Sequence, residues 1–359
     1  MLNLQDVRDL LEQVKEPALS LYLNIDPAVA ENQATTPAWR IWLKNALRNK
    51  ANELSDLEAF SWKQMVARLE AYLNQYRPTS KGVALFITAD ELRDYEVPLS
   101  LENRIEVGAP FVTPLLWLLD EYEPYVIALI DQEQAHFFTA FLGQVGQQDQ
   151  LELDIADYDW GEKTLSRIRT SGAGGIASQG SNRDAFEAML DEHRARYYRE
   201  VAAHIEELCQ RHEARRIILG GSEASAHAVQ RLMPEQVANK VIAMLPVPLK
   251  LSPTEILARV LPRALEYERQ QEQELVNEVI NLAKSEGRGA LGKNSVLAAL
   301  EQQRVEMLIV PYPVENEALA AELPLKALAS SSVIELVHGE AADRLNEEGG
   351  LAARLYYAV

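Results

Sequence analysis

Short apolar runs of strand length, each separated from the next by a stretch of helical periodicity, dominate this chain. Leu19–Ile25, Gly82–Ile87, Tyr125–Ile130, Arg216–Gly221, Arg304–Val310 and Val333–Val337 are such runs. Between them, apolar residues recur at the three-to-four-residue spacing of an amphipathic helix. Strands that alternate with helices pack as layers, with helices covering a central sheet. The expected fold class is therefore α/β. At 359 residues the chain is long enough for two or three domains.

The first third reads as strand, helix, helix, strand. Asp26-Pro27 ends the first strand, and Thr36-Pro37 opens a long helix with proline near its first turn. On that helix Arg40, Lys44 and Arg48 form an i, i+4, i+8 stripe, which suits either a solvated face or an RNA contact. Pro110, Pro114 and Pro124 mark the way out of this region. A new unit begins at Tyr125, with a hairpin partner at 135–142 and a further strand at 151–155. Residues 157–183 then hold few apolar side chains. Five glycines fall between Gly161 and Gly180, and Arg167, Arg169 and Arg183 give the segment a basic character. A loop of this length inside an ordered domain is usually functional. The residues after it predict a helix of nearly thirty residues, with Phe186, Leu190, His193, Tyr197, Val201, Ile205 and Leu208 on one face.

Ser252-Pro253-Thr254-Glu255 is a good helix opening and begins the last third. A long helix or helix pair, a glycine-rich turn at 287–292, and alternating helices and strands follow. This order predicts helices on both faces of a small sheet. The expected domains are 1–117, 118–249 and 250–359.

Charge and composition narrow the function. The net charge of −19 argues against a broad embrace of nucleic acid, DNA included, and leaves room only for local basic patches. No apolar run approaches the roughly 20 residues that span a bilayer, so no membrane role is expected. One cysteine, Cys209, allows no intrachain disulfide and suggests a cytoplasmic setting. The zinc-hydrolase and nucleophile-elbow motifs are absent, and no Cys/His cluster occurs, so neither metal nor cofactor is expected. Gly287-Arg-Gly-Ala-Leu-Gly292 matches a dinucleotide-binding pattern, but a helix precedes it where that motif needs a strand. Its glycines are expected to end one helix and start the next.

Local wording adds what periodicity does not. Gly292–Val310, containing Val-Leu-Ala-Ala-Leu and Val-Glu-Met-Leu-Ile-Val, and Val333–Leu351, ending in Gly349-Gly350, resemble the C-terminal part of the eukaryotic and archaeal class-1 release factors. The glycine-rich segment, the long helix and the strand ending Leu219-Gly-Gly-Ser222 follow the order of that family's middle domain. The resemblance covers roughly residues 118–359 and is nearest to the divergent bacterial and archaeal members, related to Pelota and to Vms-type peptidyl-tRNA hydrolases. It implies a middle mixed-sheet domain with a mobile loop, and a C-terminal α/β/α domain like the kink-turn RNA-binding ribosomal proteins. The codon-reading motif of the family's N-terminal domain is not present.

The family places a Gly-Gly-Gln tripeptide on that loop. Here Gly174-Gly175 is followed by Ile-Ala-Ser and then Gln179. Glycines let backbone enter a narrow site, and an amide can orient a water. The resemblance therefore implies Gly174, Gly175 and Gln179 as catalytic residues, with Arg167, Arg169 and Arg183 meeting phosphates. The expected partners are the ribosome, peptidyl-tRNA and a translational GTPase, and the expected activity is ester hydrolysis in ribosome rescue. The alternative is a non-catalytic ribosome- or tRNA-binding adaptor. A third class is a small-molecule enzyme using the sheet edge near Gly220-Gly221.

Overall fold

A computed structural model describes residues 2–53, 56–153, 178–285, 287–314 and 316–358. The chain forms two compact units, one made of residues up to 122 together with those from 265 onward, the other of residues 123–264. No described helix is long and apolar enough to cross a membrane.

Helix α1 (Leu4–Gln13) starts at a capping box, in which Asn3 and Asp6 each accept the other's backbone N–H. Strand β1 (Ala18–Asn24) leads to helices α2 (Ala38–Ala51) and α3 (Asp56–Gln75), then to β2 (Gly82–Ile87), β3 (Leu92–Val97) and β4 (Arg104–Gly108). The four strands form an antiparallel sheet in the order β3-β2-β1-β4. Period-two alternation sorts β1 between its faces. Leu19, Leu21 and Leu23 share one core with Trp39 and Leu43 of α2 and Met65 and Leu69 of α3. Tyr22 meets Phe86 and Phe111 edge-on, and its hydroxyl donates to the Phe111 carbonyl.

Asp26 pins the loop after β1. The N–H of Ala28 (2.8 Å), followed by the Ser100 hydroxyl (2.9 Å), holds its carboxyl below the ordinary carboxylate range. A lowered folded value means the stabilisation is complete above the ordinary pKa of about 3.9 and is lost as pH falls through that lowered value. Urea titrations below pH 4 are therefore expected to show a shallower acid loss for Asp26→Asn than for the native chain.

Helix α4 (Thr113–Glu121) precedes the second unit, whose sheet holds β5 (Tyr125–Ile130), β6 (Gln134–Phe141), β7 (Gln144–Glu152), β8 (Arg216–Gly221) and β9 (Val241–Leu245). Their order is β7-β6-β5-β8-β9, antiparallel from β7 to β5 and parallel from β5 to β9. Helix α5 (Ser178–Arg211) runs between β7 and β8 in sequence, and α6 (Glu223–Gln230) and the short α7 (Glu235–Ala238) join β8 to β9. Every residue of β5 is buried because both faces of the sheet are covered. Val126, Ala128 and Ile130 pack with Tyr197, Val201, Ile205 and Leu208 of α5 and Val229 of α6. Tyr125, Ile127 and Leu129 pack with Ile256, Val260 and Ala264 from the start of α8 (Pro253–Lys284).

The later half of α8 belongs to the first unit, as do β10 (Gly289–Leu291), α9 (Lys293–Glu301), β11 (Val305–Pro311), α10 (Glu317–Ala329), β12 (Val333–Val337), α11 (Gly339–Glu347) and β13 (Ala352–Leu355). The sheet order is β10-β13-β11-β12, with β11 and β12 parallel. Helices lie on both faces, as the alternation predicts. Leu308 and Val310 pack with α9 and α10. Ile309, Val337 and Ala352 pack with Val279 and Ile280 of α8 and Leu345 of α11.

Three helix-to-strand turns share one device. Glu213 after α5, Gln303 after α9 and Ser331 after α10 all take positive φ, between 52° and 54°. The next N–H then reaches back to the last turn, as in Ala214 to Cys209 and Ser332 to Ala327, both at 2.9 Å. An L side chain in this conformation costs about 1–2 kcal/mol, part of which glycine's greater unfolded freedom offsets. Glu213→Gly and Ser331→Gly are each expected to raise the unfolding free energy by about 0.5–1 kcal/mol, read by urea denaturation.

Candidate functional site

The site expected from sequence centres on the start of α5. This helix is 34 residues long, and its first residues are Ser178 and Gln179. Gln179 thus stands in the first turn, and Arg183 follows about one turn later. Gly174, Gly175, Arg167 and Arg169 lie outside the described residues.

The described core residues of α5 lie toward its other end. Among its described side chains the fully buried ones begin at Tyr197 and continue through Val201, Ile205 and Leu208. Leu190 and His193, expected on the same apolar face, are only half-buried. Eighteen residues at 1.5 Å of rise separate Gln179 from Tyr197, or about 27 Å along the axis. Tyr198 fastens the helix further, because its hydroxyl lies 2.9 Å from Ser225 Oγ on α6. Cys209 is buried on the same side, and burial pushes its thiol up to about 11. An unreactive packing role follows from that burial.

The first turns of a helix present N–H groups with no partner inside the helix and carry the positive end of the helix dipole. Anions are favoured there.

The basic stripe on α2 divides. Arg40 donates to the Leu73 carbonyl at 2.9 Å and lies over the Trp39 ring at 4.8 Å, tying α2 to the end of α3. Lys44 and Arg48 face solvent, as does Ile41 beside them. Two of the three residues therefore remain open to a partner.

The glycines that resemble nucleotide motifs have packing reasons. A Cβ on Gly221 would come within 2.2 Å of the Ile130 carbonyl oxygen, and one on Gly220 within 2.5 Å of Leu129. Close approach of neighbouring strands accounts for both glycines without a ligand. Gly292, at φ +78°, stands immediately before α9 and caps it.

The fold also assembles a charged cluster that sequence reasoning missed. Glu121 at the end of α4, Arg269 and Glu272 on α8, and His338 before α11 meet in the first unit. Arg269 Nη2 lies 2.5 and 2.6 Å from the two Glu121 oxygens, and Nη1 donates to Glu272. Glu272 also accepts from the backbone N–H of His338 at 2.8 Å and lies 3.0 Å from its Nδ1. Its side chain is 1% exposed. Burial works against the Arg269 charge, but Glu121 and then Glu272 more than offset it, holding the guanidinium above its ordinary pKa. Glu121, Glu272 and His338 each offer a metal-ligating atom within 4.8 Å of the others. The guanidinium already engages both carboxylates, so a cation would have to displace it. The donor set fits an internal ion pair better than a metal centre. Tyr312 roofs the cluster, its ring 5.4 Å from His338 and stacked on Trp117 at 5.3 Å.

Comparison with known proteins bears on the second unit above all. Residues 110–265 match the family described as bacterial archaeo-eukaryotic release factor family 10. Among solved structures, an archaeal translation termination factor, aRF1, is 17% identical over 98% of this chain and 96% of its own, with a TM-score of 0.27. Dom34 of S. cerevisiae, a translation termination-like factor, is 11% identical over 75% and 74%, with a TM-score of 0.48. Pelota of Archaeoglobus fulgidus is 16% identical over 79% and 82%, with a TM-score of 0.37. No curated protein matches the chain.

Proposed function

We propose that this chain, a divergent release-factor-like protein over residues 110–265, acts at the ribosome, where α5 presents Gln179 to the ester bond of peptidyl-tRNA. The observation that carries this reading is a coincidence of extents. The matched segment takes in the whole of the second unit, residues 123–264, and that unit contains both the glycine pair and α5.

In the proposed step a water oxygen attacks the ester carbonyl. The new carbon–oxygen bond frees the peptide as a carboxylic acid, and the ester oxygen leaves as the tRNA ribose hydroxyl with a proton drawn ultimately from the water. The Gln179 amide oxygen accepts a hydrogen bond from that water and orients it, a contribution of position and not of proton transfer. Arg183 and the open N–H groups of the first turn favour the nearby phosphates. Lys44 and Arg48 provide a second basic contact on α2 for ribosomal RNA. A translational GTPase as delivery partner belongs to the same reading.

Release of a labelled nascent peptide from purified stalled ribosomes tests it. Release on addition of the native chain is the expected result. Binding without release assigns the chain to the adaptor class, which the three residues between Gly175 and Gln179 favour. Absence of ribosome binding removes the ribosomal role altogether.

A further inference from the structure

One end of the C-terminal sheet concentrates features that the α5 site does not use. Because β10 and β11 both run antiparallel to β13, the residues before β10 and β11 and those after β13 meet at the same edge. Backbone hydrogen bonds fix the meeting: Leu355 N–H donates to the Arg288 carbonyl at 2.9 Å, and Tyr356 N–H to the Arg304 carbonyl at 3.0 Å. Positive φ at Gln303 sets the turn from which Arg304 projects.

Tyr356 and Tyr357 are 50% and 56% exposed there, unusual for side chains of their size. The Arg304 guanidinium lies over the Tyr357 ring, 5.2 Å from its centroid. It bonds Gln302 through Nη1, while Nε and Nη2 are buried with no acceptor among the described residues, so this guanidinium backs the Tyr357 ring and leaves Arg288 to face solvent. Among the described residues, the nearby acids Glu306 and Glu301 are already engaged, by Arg354 at 3.2 Å and Lys326 at 3.5 Å. Arg288 is exposed, and neither it nor Arg304 forms an ion pair among the described residues. On a chain of net charge −19, this edge therefore carries surplus positive charge beside open aromatic rings.

We infer that this edge binds an unpaired stretch of RNA. With a guanidinium against one face of Tyr357, the other face is open to a nucleobase, and Tyr356 offers a neighbouring ring. Stacking on aromatic faces combined with arginine contacts to phosphate is the general chemistry of single-strand recognition. An acidic protein segment would use the arginines but gain little from two exposed tyrosines. The choice of RNA over DNA rests on the proposed ribosomal role; the site itself does not involve Gln179.

The test is fluorescence anisotropy of the full chain with a fluorescein-labelled oligoadenylate of about twelve nucleotides. Tyr357→Ala and Arg288→Gln are each expected to weaken binding about tenfold, with Tyr357→Phe close to the native protein. Arg288→Gln should also lower the slope of log affinity against log salt by about one. The exposure of Tyr357 makes Tyr357→Ala a mild change to folding, checked by circular dichroism. The inference is overturned by a native chain that does not bind the oligonucleotide, by variants that bind it as the native chain does, or by binding of a polyglutamate peptide in its place. Loss of binding in the variants supports the site even if the chain releases no peptide, and unchanged binding overturns it even if the chain does.

Discussion

Gln179→Ala is expected to slow single-turnover release of a labelled nascent peptide by about 100-fold while leaving ribosome binding within about twofold. The magnitude follows from what an amide can do. Gln has no titratable proton, so its proposed contribution is to hold a water in line with the ester carbonyl, and misplacing a reactant by about 1 Å costs roughly two orders of magnitude. Binding should survive because the first-turn N–H groups of α5, Arg183, and Lys44 and Arg48 on α2 remain. Gln179→Glu sharpens the result, since it retains length and acceptor oxygens but adds a negative charge near an ester flanked by phosphates. It is expected to be slower than the native protein in release and also weaker in binding. Equal release by Gln179→Ala and the native chain would remove Gln179 from the reaction.

Glu272→Ala is expected to cost about 3–5 kcal/mol of unfolding free energy in urea denaturation at pH 7, among the largest effects available in this chain. The side chain is 1% exposed and satisfies Arg269, the His338 backbone N–H and the His338 ring together. Removing it leaves buried donors with no acceptor and a guanidinium balanced by Glu121 alone, and stranding one partner of a buried pair is costly. The combined replacement of Glu121, Arg269 and Glu272 by aliphatic residues of similar volume should cost far less than the single change, because no buried charge is stranded. A loss below about 1 kcal/mol for Glu272→Ala would show that solvent reaches the cluster.

The contrast between these two residues shows what the sequence could disclose. Gln179 is a candidate from local wording alone, a glycine pair followed by a Gln where a long helix begins. Glu272 is not, because its partner His338 lies 66 residues along the chain, and a Glu on a charged helix reads as a solvated face. Strands behaved the same way. Tyr125–Ile130 and Arg216–Gly221 announce themselves because helices cover both faces of their sheet and the runs are continuously apolar. β7 was expected at 151–155 but occupies Gln144–Glu152, an edge strand rich in glutamine whose side chains are mostly exposed. β3 and β4, Leu-Arg-Asp-Tyr-Glu-Val and Arg-Ile-Glu-Val-Gly, are sheet edges as well, and charge on an edge hides the alternation while protecting it from pairing with other chains. The three-residue β10 lies inside the glycine-rich turn, too short for any periodicity.

The anchoring of α5 has a mechanical consequence. In the proposed reading α5 acts as a lever, its described core residues beginning at Tyr197 and Gln179 standing about 27 Å away along the axis. A tilt of about 5° at the gripped end swings Gln179 through roughly 2.4 Å, more than the tolerance of a positioned nucleophile. If Gln179 works as proposed, the fit of Tyr197, Val201 and Ile205 against β5 helps to aim it, and a methyl group added or removed there is expected to alter peptide release from a distance.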